Sequence, residues 1–124
     1  MDTRTTMIMI VVGAIFWFIA AMVVRLFPAL FGGDLVTIVL FVASVPIAWI
    51  YVKIVMKIMG LTAKNILPAA IVSVITGTLL DGIFMTWLPT LYGTDSAVNF
   101  VGAAWILWGV GLISMAAYQK ADTA

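Results

Sequence analysis

The stretch from Met7 to Leu26, MIMIVVGAIFWFIAAMVVRL, decides the fold. Its one charged residue is Arg25, next to its end. A bilayer span takes about 20 apolar residues, so this run reads as a transmembrane helix. A signal-peptide core is shorter, about 7–15 residues, and leads into a small-residue cleavage site. No clear site of that kind follows here, so the span is expected to be retained. Three more runs of the same kind follow, and the expected spans are 7–26, 35–54, 66–87 and 98–118. With short loops these use the whole length of 124 residues. The expected fold class is an all-α integral membrane protein, one domain over 1–124, built as a four-transmembrane-helix bundle.

The composition agrees. The chain is 65% hydrophobic and 9% charged, with a mean hydropathy of +1.27. Soluble domains are about 45–50% apolar and about 25% charged. Disorder, a nucleic-acid-binding domain and an ordinary soluble enzyme are therefore disfavoured. The sequence has no cysteine and no histidine. That excludes disulfides, thiolate or imidazole metal ligation and cysteine or histidine catalysis. A net charge of +1 recruits no nucleic acid. No nucleophile–base pair is visible, so no enzyme activity and no cofactor or metal are expected.

Charge placement gives an expected orientation. Arg4, Lys53, Lys57, Lys64 and Lys120 lie at the N-terminus, the 2–3 connection and the C-terminus, whereas only Arg25 lies toward the other side. By the positive-inside rule the termini and the 2–3 connection are cytoplasmic. In an inner membrane, Trp49, Tyr51 and Tyr118 would mark the inner interface, and Trp87 and Tyr92 the outer one. Lys53, Lys57 and Lys64 form a basic patch suited to anionic lipid headgroups.

The two outer loops repeat one pattern. Phe27-Pro28-Ala29-Leu30-Phe31-Gly32-Gly33-Asp34 matches Leu88-Pro89-Thr90-Leu91-Tyr92-Gly93-Thr94-Asp95 at an offset of 61 residues, half the chain. The expected architecture is two duplicated helical hairpins related as a parallel repeat. Proline would end each helix, the aromatic residue would sit at headgroup level, and glycine would permit the turn. Asp34 and Asp95 would act as helix N-caps. Pro46 is expected to kink helix 2, and its repeat equivalent is Leu107. Gly60 should end helix 2. Thr62 or Asn65 should cap helix 3, with Pro68 in its first turn.

Asp81 is the one acid well inside a span, six residues before Trp87, or roughly 9 Å from that end. An ionisable residue in a span is a functional hypothesis by default. On a helix, Ala70, Ser73, Gly77 and Asp81 form one stripe, and Val72, Ile75, Leu79 and Ile83 the opposite one. Small residues allow close helix approach in lipid, so Asp81 should point into the bundle. Arg25 is its expected partner. One reading makes that pair a helix lock; the other makes Asp81 the titrating group of a proton or cation site.

Helix 1 carries a matching small face of Gly13, Ala20 and Ala21 around Trp17, with Ile15, Phe18 and Met22 opposite. Trp17, Trp105 and Trp108 lie inside their spans. They would pack between helices or line an aromatic cavity for an organic cation, with Asp81 as counter-charge and Ser73, Thr76, Thr78 and Thr86 as polar handles. Helix 4 has small residues on two faces, Gly102 with Gly109 and Ala104 with Gly111. That suggests contact with a second protomer or another membrane subunit.

The segments Asp81-Gly82, Thr86-Trp87-Leu88-Pro89, Leu91-Tyr92-Gly93, Trp105 and Trp108-Gly109-Val110-Gly111 resemble a family of small four-span bacterial membrane proteins that carries only a domain-of-unknown-function label. The resemblance implies a bacterial inner-membrane protein and ties Asp81 and the outer loop into one feature. Small multidrug-resistance transporters share the size and span count. Their first-span glutamate is lacking here, so their mechanism does not carry over. Two functions stay open. One is an oligomeric transporter or channel for a cation or small organic solute. The other is an accessory subunit in which Asp81 and Arg25 lock two helices.

Overall fold

The structure is a computed structural model and describes residues 1–122. Four long helices account for most of it: α1 (Thr3–Leu26), α2 (Leu35–Met59), α3 (Ala63–Trp87) and α4 (Ser96–Asp122). Each is long and apolar enough to cross a membrane. Short 3-10 turns, Pro28–Phe31 and Pro89–Leu91, follow α1 and α3 at the same end of the bundle, called here the loop end.

At the loop end α1, α2 and α3 have the bounds of the apolar runs, and α4 begins two residues before its run, at Ser96. At the other end, which carries the termini, they run on past the expected boundaries. The added residues, such as Lys57 and Lys64, are good helix formers, so nothing ends the helix when the apolar run does. A 25-residue helix is about 37 Å long, against a hydrocarbon core of about 30 Å.

The ends have local causes. The Asp2 side chain accepts from the Thr5 backbone N–H at 2.8 Å and caps α1. Gly60 takes the left-handed conformation (φ 64°) that ends α2, and the Leu61 N–H returns to the Met56 carbonyl. Thr62 occupies the cap position of α3 without a side-chain bond. Pro68 is the sixth residue of that helix, in its second turn rather than its first. The α2 helix continues through Pro46.

Around the bundle the order is α1, α3, α4, α2. The α1–α3, α3–α4 and α2–α4 seams are closely packed. The α1–α3 crossing is the tightest because both helices present small residues. A Cβ on Gly13 would lie 2.9 Å from Ser73 Cα and would strike its carbonyl oxygen. Across α1–α4, a Cβ on Gly102 would meet Val24 at 2.8 Å. Among the described residues α1 and α2, although consecutive, barely approach each other. Ile15, Phe18, Ile75, Leu79 and Ile83 face outward.

Two cores fill the bundle. Toward the termini Met9, Val52, Ile66, Leu112 and Ala116 interlock. Toward the loop end Ala21, Val24, Phe31 and Tyr92 do so. Phe31 and Tyr92 are each only 1% exposed. This corrects the expected headgroup position of the loop aromatics. Each 3-10 turn bends the chain back over the helix ends, and the ring drops between the helices.

Candidate functional site

Between the two cores lies a cavity of about 130 Å³ to which all four helices contribute. Its floor is the α1–α3 crossing at Gly13, Ser73 and Gly77, where absent or short side chains leave space. Asp81 reaches it from α3, Trp17 from α1 and Trp105 from α4. Ser44 and Tyr51 enter from α2.

Asp81 lies within a chain of neutral donors. The Trp17 indole N–H donates to the Tyr92 hydroxyl at 3.1 Å. That hydroxyl donates to Asp81 Oδ1 at 2.6 Å. Burial, reinforced by the Asp81 carboxylate it bonds, pushes the Tyr92 phenol up from its ordinary value. It therefore stays protonated and donating at neutral pH. Trp17 is fixed further by the Phe84 ring, 4.8 Å away.

The expected Arg25–Asp81 pair is not formed. Arg25 Nη1 donates to the Thr90 carbonyl at 2.7 Å and, at 3.4 Å, to that of Leu91. Main-chain carbonyls accept readily from a guanidinium, and the exposed Arg25 side chain is satisfied by them at the loop end rather than in the apolar interior. Arg25 thus ties the end of α1 to the turn that carries Tyr92. Among the described residues no cationic side chain pairs with Asp81.

The tryptophans divide. Trp17 and Trp105 line the cavity. Trp105 Nε1 donates to Ser44 Oγ at 2.9 Å, and its ring meets Phe31 edge-on at 5.5 Å. Trp108 lies outside, in a groove between α2 and α4, and donates to the Phe41 carbonyl at 3.0 Å. Ser73 is buried at the floor and donates to the Ala70 carbonyl. Thr76, Thr78 and Thr86 also donate to carbonyls of their own helix.

The cap and headgroup candidates lie away from the cavity. Asp95 accepts from the Ala97 and Val98 N–H groups at 2.9 and 3.3 Å, the geometry of a cap. Asp34 holds the equivalent position of α2 without a side-chain bond. There Thr37 stitches the loop instead, accepting from the Gly33 N–H and donating to the Leu30 carbonyl. Lys53, Lys57 and Lys64 are exposed near the terminal end. Tyr51, expected at an interface, lines the cavity and packs on Phe16 with ring centroids 4.7 Å apart.

Tyr92 is the residue that sequence reasoning misplaced most. A signal for it was present. At the 61-residue offset, Asp81 matches Ala20 and Tyr92 matches Phe31. Both polar members of the pair thus occur in the second half alone, at matching positions.

Fold and site together define a class: an all-helical bundle suited to the membrane, with an acid facing an internal, mostly apolar cavity. Comparison with family models, curated proteins and solved structures finds no match to this chain.

Proposed function

We propose that this protein is a small multi-pass transporter that takes an organic cation into the bundle cavity, with Asp81 as its anionic contact. The observation that carries this reading is Asp81 at the cavity wall with neutral donors and, among the described residues, no cationic partner. An ionised carboxylate inside a span is costly, and a bound cation or proton supplies the missing charge. The walls favour an organic cation over a metal ion. Calcium takes about six to eight oxygen ligands, commonly several of them carboxylates, whereas among the described residues Asp81 is the one carboxylate that lines this cavity. The cavity does offer the rings of Trp17 and Trp105, and aromatic faces attract organic cations.

The same proposal takes the chain as a duplicated hairpin in a bacterial inner membrane, with its termini cytoplasmic. Support for duplication comes from the turns. Phe27 (φ −128°, ψ 57°) and Leu88 (φ −134°, ψ 55°) share one unusual backbone conformation at equivalent positions. A second reading, packing against another copy or subunit, draws on α4. Ala104 and Gly111 are exposed together, and nothing lies within 4 Å of a Cβ placed on Gly111.

Binding of tetramethylammonium to the protein in lipid nanodiscs tests the transporter reading. Asp81→Asn should weaken it about tenfold or more, equivalent to about 1.4 kcal/mol, and should abolish flux in liposomes. Equal binding and flux by both proteins would sink the reading.

A further inference from the structure

We propose that the cavity receives its ligand from the lipid phase through the seam between α1 and α2, and that the ligand is an amphiphilic amine whose cationic head sits at Asp81 and whose hydrocarbon tail lies in that seam. The inference rests on the transporter reading and adds to it the ligand class and the route.

The seam is the first observation. Three sides of the bundle are closed by packed helix pairs, and the fourth, between α1 and α2, is not. The rings of Phe16 and Tyr51 meet across it. Both line the cavity, and so does Ile47 on α2, which is 56% exposed. The cavity wall and the outer surface are therefore continuous along this seam.

Depth is the second observation. Asp81 lies six residues from the end of α3, Ala20 six from the end of α1, and Leu40 five from the start of α2. At 1.5 Å per residue all three sit roughly 8–9 Å below the loop end. At the level of the acid, α1 thus lines the cavity with the short side chain of Ala20. The Phe16–Tyr51 pair bridges the helices closer to the termini.

Size is the third. The cavity volume is about 130 Å³, and an apolar cavity of about 150 Å³ holds one benzene. A trimethylammonium head fits such a space, and an alkyl tail does not. A tail left in the seam stays in contact with lipid and keeps the favourable transfer of its methylenes into the bilayer. Amines that already partition into the bilayer are the ligands this geometry selects.

The test uses the full chain in nanodiscs with two probes. One is tetramethylammonium. The other is an octyltrimethylammonium carrying a photoreactive diazirine in its tail. Signal from nanodiscs holding Asp81→Asn is subtracted to remove partition into lipid. Both probes should show Asp81-dependent binding. After illumination, the Asp81-dependent adducts should map to α1 around Phe16 to Ala20 and to α2 around Leu40 to Ile47. If tetramethylammonium binds and the tailed probe does not, the site is enclosed and lipid entry is overturned while the transporter reading stands. Adducts confined to α4 would overturn the α1–α2 route in the same way. If neither probe binds in an Asp81-dependent manner, the transporter reading fails and this inference falls with it.

Discussion

At the residue scale the site depends on one hydroxyl. The Tyr92 Oη accepts from Trp17 and donates to Asp81, so it joins α1, α3 and the second loop. Removing it strands a donor and an acceptor in a low-dielectric setting, which costs about 1–3 kcal/mol. Phe31 shows that a phenylalanine ring suits the equivalent place in the first loop. Tyr92→Phe should therefore keep the fold and lower its stability by that amount in a denaturant or thermal titration in detergent. The phenol is held protonated by burial and by its bond to Asp81. The stability gap between wild type and variant should accordingly be full below pH 10.0, where an ordinary tyrosine ionises, and should shrink as pH rises above it, because the unfolded phenol then loses its proton while the folded one keeps it. A variant that unfolds together with wild type would show that the hydrogen-bonded chain contributes nothing. Arg25 illustrates what sequence reasoning lacks at this scale. Pairing opposite charges is a sound rule, but it cannot see the main-chain carbonyls that a turn brings within reach, and Arg25 binds two of those.

At the element scale the α1–α3 crossing was legible and the α1–α2 seam was not. Small residues at Gly13, Ser73 and Gly77 recur at helical spacing opposite branched ones, and close approach needs that pattern. The structure places these faces together. By contrast, α1 and α2 are apolar on most sides, so no stripe in either shows that the two are splayed. The crossing yields a contrast between two glycines. A methyl at Gly13 meets the backbone of Ser73, which no rotamer change can move. Gly13→Ala should push the helices apart and cost about 1–3 kcal/mol of stability. Gly111→Ala meets nothing within the chain and should leave monomer stability unchanged or slightly raised. Thermal unfolding of the two variants beside wild type checks the pair. Cross-linking in native membranes adds a second readout. If another copy packs on the Ala104–Gly111 face, the Gly111 variant should lose oligomer while keeping its fold.

At the scale of the whole molecule, both charge and helix packing are uneven. The two halves carry similar turns, yet α3–α4 is packed where α1–α2 is open. The open seam borders the cavity, and the polar pair Asp81–Tyr92 occurs in one half only. Charge is divided between the two ends in the same uneven way. Five of the six lysines and arginines lie at the terminal end, while Arg25 at the loop end is engaged by loop carbonyls. Positive charge resists translocation, so the terminal end should remain in the cytoplasm and the loop end, with the mouth nearest Asp81, should face outward. The chain has no cysteine, so single cysteines report without background. Thr94 and Thr62 are exposed at opposite ends and outside the cavity. In intact cells made permeable only at the outer membrane, Thr94→Cys should react with a membrane-impermeant maleimide at once. Thr62→Cys should react only after the inner membrane is disrupted. The reverse pattern would turn the molecule over and place Asp81 near the cytoplasmic face, so that an amine entering along α1 and α2 would come from the inner leaflet.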